Sequence, residues 1–277
     1  MASKIEIKDV KDPNEIKKFE DIQFKVWGGG VVPSHLIVAV KEVGGVVKGA
    51  YVDRELVGFV YGFIGKYKGR YCVYSHQLAV LPQYQNLGIG EKLKLEQMRW
   101  SRDNGYDLII WTFDPARSKN AWLNIGKLGV VTNTYLVEHY GEMEDELNRG
   151  VPSDRFMVEW WIKSPWIEER PRYRYDKDLK FEYGIALSLI KDDVKISPSE
   201  VRHLEDEYIA IEIPIDFDNL GQDTQRLKRI WKLRMREAFQ HYFSRGYTIV
   251  HFVRNQYMDR GIYILKRGFD PYDKSTW

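Results

Sequence analysis

The sequence is poor in cysteine and contains no long apolar run. Cys72 is its one cysteine among 277 residues, so the chain cannot form an internal disulfide. No stretch reaches the roughly 18 apolar residues of a membrane helix. The opening residues, MASKIEIKDVKD, are too charged for a signal peptide. We therefore expect a cytoplasmic protein that does not associate with a membrane.

The chain also lacks a charge excess and a metal-ligand motif. Lys and Arg number 42 against 40 Asp and Glu, a net charge of +2, which gives no global indication of nucleic-acid binding. No Cys/His cluster has zinc-ligand spacing, so we expect no metal. Hydrophobic residues at 44% and charged residues at 30% are typical of a globular protein with a substantial core.

Hydrophobic periodicity predicts a mixed α/β fold. The turn-like pair Asp53-Arg54 separates two β-like runs and predicts a hairpin, so the sheet begins antiparallel. The predicted helices cover 14–27, 34–43, 91–104, 118–128 and 224–245. The predicted strands are VVKGAYVD, ELVGFVYGFIG, YCVYSHQLAVL, DLIIWTF, VEWWI, YIAIEIPI, TIVHFV and GIYILK.

The segment 164–180 is rich in Pro, Arg, Lys and Asp, which indicates a boundary or a crossing loop. We place the domains at 1–165 and 166–277, the second an α/β extension. IAIEIP, its loop, its helix and Gly246 follow the same order as QLAVLP, its loop, its helix and Gly105. The order suggests a diverged repeat. Strand–helix–strand units also look alike without common descent, and that alternative stays open.

The segment LAVLPQYQNLGIGEKL (78–93) predicts a strand, a glycine-bearing loop and a helix, an arrangement suited to a diphosphate. The Walker pattern fails, because no Gly-Lys-Ser/Thr follows. The Rossmann pattern is half present, because Leu93 replaces its third glycine and the turn is too long. The coenzyme A signature Q/R-x-x-G-x-G/A fits Gln85 to Gly90 at every fixed position.

These residues, with the strand LAVLP, the strand DLIIWTF and the segment Arg117 to Gly129, resemble the GNAT superfamily of acetyltransferases. The resemblance is nearest to a little-characterised branch with a Ser-His pair before LAVLP, here Ser75-His76, and an Asp-Arg pair before the last strand. It covers 15–165 strongly and 205–268 faintly.

The resemblance implies a mostly antiparallel GNAT sheet flanked by helices, with residues 1–165 as the acyl-CoA-binding domain. The extension 166–277 would then be a degenerate GNAT-like half. Acetyl-CoA would be the cosubstrate, its pantetheine arm lying along the strand of Leu78 and Val80. Asn120 or Asn124 would hydrogen-bond this arm, although helix capping explains them equally well. The residues implied for the diphosphate, through main-chain N–H groups, are Gln85, Asn86, Leu87, Gly88, Ile89 and Gly90.

Candidate proton carriers are fewer. His76 shares a strand face with Leu78 and Val80, and imidazole titrates near neutral pH, so His76 is the candidate base. A hydrogen-bonded structural histidine is the alternative. Many GNAT enzymes carry a tyrosine acid where this chain has Ile125. Tyr135 or Tyr140 could substitute, although packing explains either tyrosine as well.

We expect an N-acyltransferase that moves an acyl group from acetyl-CoA to an unidentified small-molecule or peptide amine by direct attack. A non-catalytic acyl-CoA sensor or scaffold is the alternative. A homodimer is left open as the assembly of the chain. A basic cluster on the C-terminal helix raises a third class, a nucleic-acid-binding module. We interpret that cluster as a solvated helix face and disfavour nucleic acid. It comprises Arg226, Lys228, Arg229, Lys232, Arg234 and Arg236.

Overall fold

A computed structural model describes residues 4–141, 150–169, 182–255 and 259–277. The chain divides into two compact units, Met1–Trp111 and Thr112–Trp277. The division falls inside a strand rather than at the boundary predicted after residue 165, and that domain boundary stays a prediction. Of the crossing segment predicted at 164–180, residues 170–180 lie outside the described residues, and 165–169 form a short helix.

The first unit contains three helices and the strands of one sheet. The helices are α1 (Pro13–Trp27), α2 (Ser34–Glu42) and α3 (Ile89–Asp103). The strands are β1 (Ile5–Asp9), β2 (Val46–Val52), β3 (Glu55–Tyr67), β4 (Arg70–Val80) and β5 (Leu108–Phe113), the last ending in the second unit. All three predicted helices and the β2–β3 hairpin are confirmed, whereas β1 was not predicted.

Local chemistry explains where α1 begins and ends. The Asp12 side chain accepts a hydrogen bond from the Asn14 N–H and caps the first turn, and Pro13 supplies a preset φ. Gly28 ends the helix in the left-handed region at φ 75°. The buried face then packs on the sheet, where the Phe19 ring stacks on Phe59 with centroids 4.2 Å apart.

The sheet of the first unit has the order β1-β2-β3-β4-β5. Its first three pairings are antiparallel, whereas β4 and β5 are parallel. Their register is recorded at Val73↔Ile109 and Tyr74↔Ile110. Strand β4 continues past this pairing to Val80 along β3. The strand that leads into the glycine loop is therefore joined to β5 near its beginning.

Helices α1 and α3 cover opposite faces of this sheet. Tyr61 and Gly62 are consecutive in β3, so they face opposite sides. The Tyr61 ring stacks with Phe59, and Phe59 in turn stacks with Phe19 of α1. A Cβ added at Gly62 would lie 3.1 Å from Nε2 of Gln97, which belongs to α3.

The second unit also contains helices and a mostly antiparallel sheet. Its helices are α4 (Ser118–Ala121), which continues as a π-helical turn over Trp122–Lys127, α5 (Pro165–Glu169) and α6 (Thr224–Phe243). The strands of its main sheet are β6 (Val131–Leu136), β7 (Arg155–Trp161), β8 (Gly184–Leu187), β11 (Tyr208–Pro214), β12 (Tyr247–Asn255) and β13 (Arg260–Arg267). Strands β9 (Leu189–Lys191) and β10 (Ile196–Pro198) form a separate pair. A mixed α/β fold with a mostly antiparallel sheet is confirmed.

The strand order changes the interpretation of the repeat. The main sheet runs β7-β6-β12-β13-β11-β8. Strand β13 therefore lies between β11 and β12, whereas β4 and β5, their predicted counterparts, are direct neighbours. The better match to β11–α6–β12–β13 is β5–α4–β6–β7, because each has a strand, a helical segment and an antiparallel hairpin. The diverged repeat stays a prediction, although the strand orders favour this other pairing of the two halves.

The basic cluster on α6 is only partly the solvated face that we predicted. Lys228 and Lys232 are 2% and 1% exposed. Lys228 Nζ lies 2.9 Å from Oδ1 of Asp218, and Lys232 pairs with Asp114. Arg236 holds the fully buried Asp154 through two hydrogen bonds of 2.9 and 2.8 Å. Buried apolar residues of α6, among them Trp231, Met235 and Phe239, lie on the same inward side of the helix as these cations. The cations are stable there because each one meets a carboxylate.

Candidate coenzyme site and catalytic residues

The glycine loop is a short turn held by Gln85. A 3-10 turn over Pro82–Tyr84 follows β4. The Gln85 N–H donates to the Pro82 carbonyl at 3.2 Å, and its side-chain Nε2 donates to the Val80 carbonyl at 3.1 Å. Gln85 thus fixes the loop to the end of β4. Its main-chain N–H, which we predicted as a diphosphate donor, is already engaged by this turn.

The remaining loop residues lead into the start of α3. Asn86 and Gly88 adopt positive φ values of 65° and 75°, so the chain turns sharply before Ile89 begins the helix. Within the described part of the chain, no side chain caps this helix start. The first N–H groups of a helix have no intrahelical carbonyl partner and carry partial positive charge. The N–H groups of Ile89 and Gly90 therefore lie at the positive end of the helix, beside the exposed Leu87.

Strand β4 offers an edge beside this loop. Leu78 is half-buried and Val80 is buried, and both pair with β3 on one side. On the other side, the recorded pairing with β5 involves only Val73 and Tyr74. The stretch of β4 from the loop back toward Ser75 can therefore accept an extended ligand as an added strand.

His76 lies at a bulge in β4. Gly62 pairs with Ser75 and the preceding Tyr61 pairs with Gln77, so His76 is the additional residue. The imidazole is exposed to solvent yet ringed by aromatic side chains, with the Tyr61 centroid at 5.5 Å and the Phe63 centroid at 5.9 Å. Partial desolvation lowers the pKa of His76. The neutral imidazole that a base requires is thus favoured near neutral pH.

Sequence reasoning missed a second titratable group in this unit. Lys94 of α3 is 4% exposed, and its Nζ donates to the Ser75 Oγ at 2.7 Å. The spacing of Leu93, Lys94, Gln97 and Met98 is that of one buried helix face, and this spacing was the signal available in the sequence. We overlooked it because lysine is rarely buried.

The family model of the GNAT acetyltransferases matches residues 17–124. This span includes β4, the glycine loop and α3. Residues 17–124 are thus similar to a GNAT acetyltransferase domain. No curated protein sequence matches the chain significantly.

Several solved GNAT structures are similar to part of the chain. Naa50 of Arabidopsis thaliana, in complex with a bisubstrate analogue, is 18% identical with a TM-score of 0.46 and covers 56% of this chain and 97% of its own. The Salmonella typhimurium protein yncA, with acetyl-CoA, is 16% identical with a TM-score of 0.47 and covers 57% and 94%. A GNAT-family acetyltransferase of Streptococcus pneumoniae is 13% identical with a TM-score of 0.46 and covers 56% and 98%.

The two candidate tyrosines lie in the second unit and differ in environment. Tyr135 donates its hydroxyl hydrogen to Oδ2 of Asp154 at 2.8 Å. Burial, reinforced by the charge of Asp154, raises the pKa of Tyr135 well above its ordinary value. Tyr140 is 53% exposed, with its hydroxyl 3.0 Å from that of Thr112. A raised pKa makes Tyr135 a weak acid, so of the pair Tyr140 is the more accessible candidate.

The helical segment before β6 carries the remaining site candidates. Asn120 is exposed on α4, whereas Asn124 is 5% exposed and its main-chain carbonyl accepts from the Val130 N–H at 3.1 Å. Ile125, at the position where many GNAT enzymes have a tyrosine, is fully buried. The usual acid position of a GNAT domain is therefore filled by an apolar core residue.

The described residues contain no group of three or more His, Cys, Asp or Glu side chains placed to hold a metal ion. Among the helices that the structure describes, none has the length and apolar character needed to cross a membrane.

Proposed function

We propose that the chain is an N-acyltransferase that uses acetyl-CoA and acylates an amine by direct attack. The observation that carries this proposal is the position of the exposed His76 at the β4 bulge, on the strand that runs into the glycine loop. The family match supports acetyl transfer in general. The amine acceptor, the base and the contacts of the coenzyme are our inferences.

The coenzyme would bind with its diphosphate at the start of α3. Ile89 and Gly90 supply main-chain N–H groups, and Gly88 keeps the approach open, because no described atom lies within 4 Å of where its Cβ would stand. The pantetheine arm would then run along Leu78 and Val80. It can extend only as far as the β4–β5 pairing, because paired strands leave no room between them. The thioester would thus lie near Ser75 and His76.

His76 would take the proton of the attacking amine. A lysine-type amine, with a pKa of about 10.4, is neutral in only about 1 molecule in 2,500 at pH 7, so a base assists it. The lowered pKa of His76 keeps the imidazole unprotonated and ready to accept. Because His76 is exposed, its proton can pass on to water after the acyl transfer.

Coenzyme binding is the first test. Acetyl-CoA at 100 times its dissociation constant adds about 2.7 kcal/mol to native stability. We expect a rise in melting temperature of roughly 5–10 °C for a chain of this size, and much less with NADH or ATP. Gly90→Val should remove the rise, because the branched side chain would obstruct the diphosphate. Gly29→Val is the matched control, because no described atom lies within 4 Å of its added Cβ. An unmoved melting curve with acetyl-CoA, longer acyl-CoAs and free CoA would overturn the proposal.

The base has its own test. Amines, peptides and aminoacyl compounds would be screened for release of free thiol from acetyl-CoA. With an accepted amine, His76→Ala should lower kcat by about 10²–10⁴ at neutral pH. The loss should shrink as the pH rises, because the amine then deprotonates without help. Equal turnover of variant and wild type across the pH range would remove His76 from the mechanism.

We further propose that each chain binds one coenzyme, through residues before 165. The loop after β11 is occupied by its own ion pairs, because Asp218 accepts from Lys228 at 2.9 Å and also pairs with Arg117. Residues 188–207 connect the parallel strands β8 and β11, and all of them are described. They contain the strands β9 and β10 but no helix whose first N–H groups could bind a second diphosphate. Titration calorimetry should give one equivalent of coenzyme per chain. Two equivalents would contradict this.

A non-catalytic acyl-CoA sensor is the second candidate, and the buried Ile125 favours it. The sensor would bind acetyl-CoA and show the same thermal shift, yet release no thiol with any amine. Turnover with any acceptor excludes it.

A further inference from the structure

Lys94 is a buried lysine without a carboxylate partner. Its Nζ donates to the Ser75 Oγ at 2.7 Å, lies 3.4 Å from the Gln97 Oε1 and stands 3.5 Å above the Trp111 ring. The hydroxyl and the amide oxygen are neutral acceptors, and the ring supplies only a cation–π attraction. No ion pair is recorded for Lys94 among the described residues.

The positive charge of the Lys94 amine is therefore buried without an opposite charge beside it among the described residues. Burial lowers the pKa of Lys94 well below its ordinary value, and no neighbouring charge among the described residues contributes to that shift. A lysine with a lowered pKa is a stronger acid than an ordinary lysine, so it gives up its proton more readily. An ordinary structural role would be filled at lower cost by an apolar residue of similar length.

The position of Lys94 coincides with the place where β4 and β5 meet. Ser75 directly follows Tyr74, the last β4 residue with a recorded partner in β5, and Trp111 directly follows Ile110, the β5 partner of Tyr74. The lysine amine touches the side chains of both following residues. It thus lies where an added strand entering from the glycine loop must end. This step rests on the proposed coenzyme path.

His76 and Lys94 approach this point from opposite faces of the sheet. The imidazole contacts Tyr61 on the face covered by α1, whereas Lys94 reaches Ser75 from α3. A carbonyl attacked from one side expels its leaving group toward another. A base on one face and an acid on the other therefore suit a single acyl transfer.

We propose that Lys94 is the catalytic acid that protonates the departing coenzyme thiolate, in the role that Ile125 leaves unfilled. The amine nitrogen bonds to the thioester carbonyl carbon and loses its proton to His76. The carbon–sulfur bond breaks, and its electron pair stays on sulfur. Lys94 gives a proton to that sulfur and becomes a neutral amine. Proton exchange with water then discharges His76 and recharges Lys94, so no further reactant is needed.

The test measures the ionisation of bound CoA and needs no acceptor. The cysteine thiol titrates at about 8.5, and the alkyl thiol of free CoA is likewise mostly protonated at pH 7. The ultraviolet absorbance of the thiolate would be followed against pH for CoA bound to the full-length chain. A nearby ammonium favours the thiolate, so we expect at least about a tenfold higher thiolate fraction at pH 7 than in free CoA, a shift of one pKa unit.

Lys94→Met should abolish this enrichment while CoA still binds. Lys94→Gln is the second variant, should the first fold poorly. Lys92→Met is the matched control, because Lys92 lies on the exposed side of the same helix, and its enrichment should equal that of the wild type. A merely structural lysine would leave the ionisation of CoA unchanged.

The outcomes separate the two proposals. Bound CoA that ionises alike in the wild type and in both Lys94 variants overturns the role of Lys94 but not the proposed function. No CoA binding by the wild type overturns the proposed function, and this inference with it. Enrichment lost in the Lys94 variants and kept in Lys92→Met supports the inference.

Discussion

Each compact unit buries a lysine amine, and the two amines have opposite surroundings. Lys232 in the second unit is 1% exposed and pairs with Asp114, which also faces Arg155 at 3.8 Å. Lys94 in the first unit is 4% exposed, and among the described residues its amine meets a hydroxyl, an amide oxygen and a ring but no carboxylate. A paired buried charge is explained by the structure around it. An unpaired one indicates a function.

The pKa shifts reflect the same difference. Burial lowers the pKa of Lys232, while the Asp114 carboxylate opposes that shift. Burial pushes the pKa of Asp114 upward, but Lys232 and Arg155 outweigh it, so the pKa of Asp114 ends below its ordinary value. At Lys94 burial acts alone. A partner carboxylate thus stabilises the cationic form of Lys232, whereas no neighbouring charge among the described residues does so for Lys94.

The largest expected effect is the loss of the Asp114 carboxylate. Asp114→Asn leaves Lys232 buried without its counter-charge, which should destabilise the chain by about 3–5 kcal/mol. Urea unfolding followed by circular dichroism measures it. The double variant Asp114→Asn with Lys232→Met should recover most of the loss, because the amine that the single variant leaves buried and unpaired is then removed as well. A single variant as stable as the wild type would show that the pair does not compensate burial.

The next effect concerns the hydroxyl that serves Lys94. Ser75→Ala removes an acceptor from a buried ammonium, and hydrogen bonds to charged groups contribute about 1.5–3 kcal/mol. We expect a loss of this size near neutral pH, by the same measurement. In the Lys94→Met background the same substitution should cost much less, because no amine then needs the acceptor. Equal losses in both backgrounds would mean that Ser75 acts independently of Lys94.

Lys94→Met should itself stabilise the chain. The wild type places a partly desolvated amine in the core, so an apolar side chain of similar length should add about 1–3 kcal/mol near neutral pH. Its coenzyme complex should meanwhile lose the bound thiolate. A stability loss comparable to that of Asp114→Asn would place Lys94 with the paired, structural lysines.

The pH dependence of the unfolding free energy tests the direction of the pKa shift of Lys94. The pKa of Lys94 is lowered in the folded chain from the ordinary 10.5. Between the two values the unfolded chain binds more protons, so the contribution of Lys94 to stability rises with pH across that window. Below the pKa that Lys94 has in the folded chain, the destabilisation caused by burying its charge is present in full. The difference in unfolding free energy between Lys94→Met and wild type should therefore shrink as the pH approaches 10.5. A difference that stays constant or grows would contradict the lowered pKa.

The features of the fold that depend on neighbouring residues could be predicted from the sequence. The end of α1 follows from Gly28, the β2–β3 hairpin from its turn, and the glycine loop from its spacing. Strands β1, β6 and the short strands β8, β9 and β10 were missed because short strands carry little periodic signal. The strand order of the second unit depends on long-range pairing that no local pattern contains.

The residues of the candidate site also differ in whether the local sequence predicts their positions. The loop follows from its motif. The strand parity that placed His76 on one face with Leu78 and Val80 is wrong, because the bulge in β4 turns His76 to the side of Tyr61. The inward position of Lys94 and Lys232 does not follow from the sequence, because a lysine is assigned to the surface unless its tertiary neighbours are known. The engagement of the Gln85 N–H in a 3-10 turn likewise depends on backbone geometry.

The smallest expected effect separates burial from charge. Lys92 and Lys94 carry the same side chain two residues apart on α3, but Lys92 is exposed. Lys92→Met should change stability by no more than about 0.5 kcal/mol, because water already solvates that amine. Thermal and urea unfolding at several pH values measure both variants together. If Lys92→Met reproduced the stabilisation and the pH dependence of Lys94→Met, the net charge of the helix would explain both. If only Lys94→Met shows them, the cause is the buried amine of Lys94 beside Ser75 and Trp111.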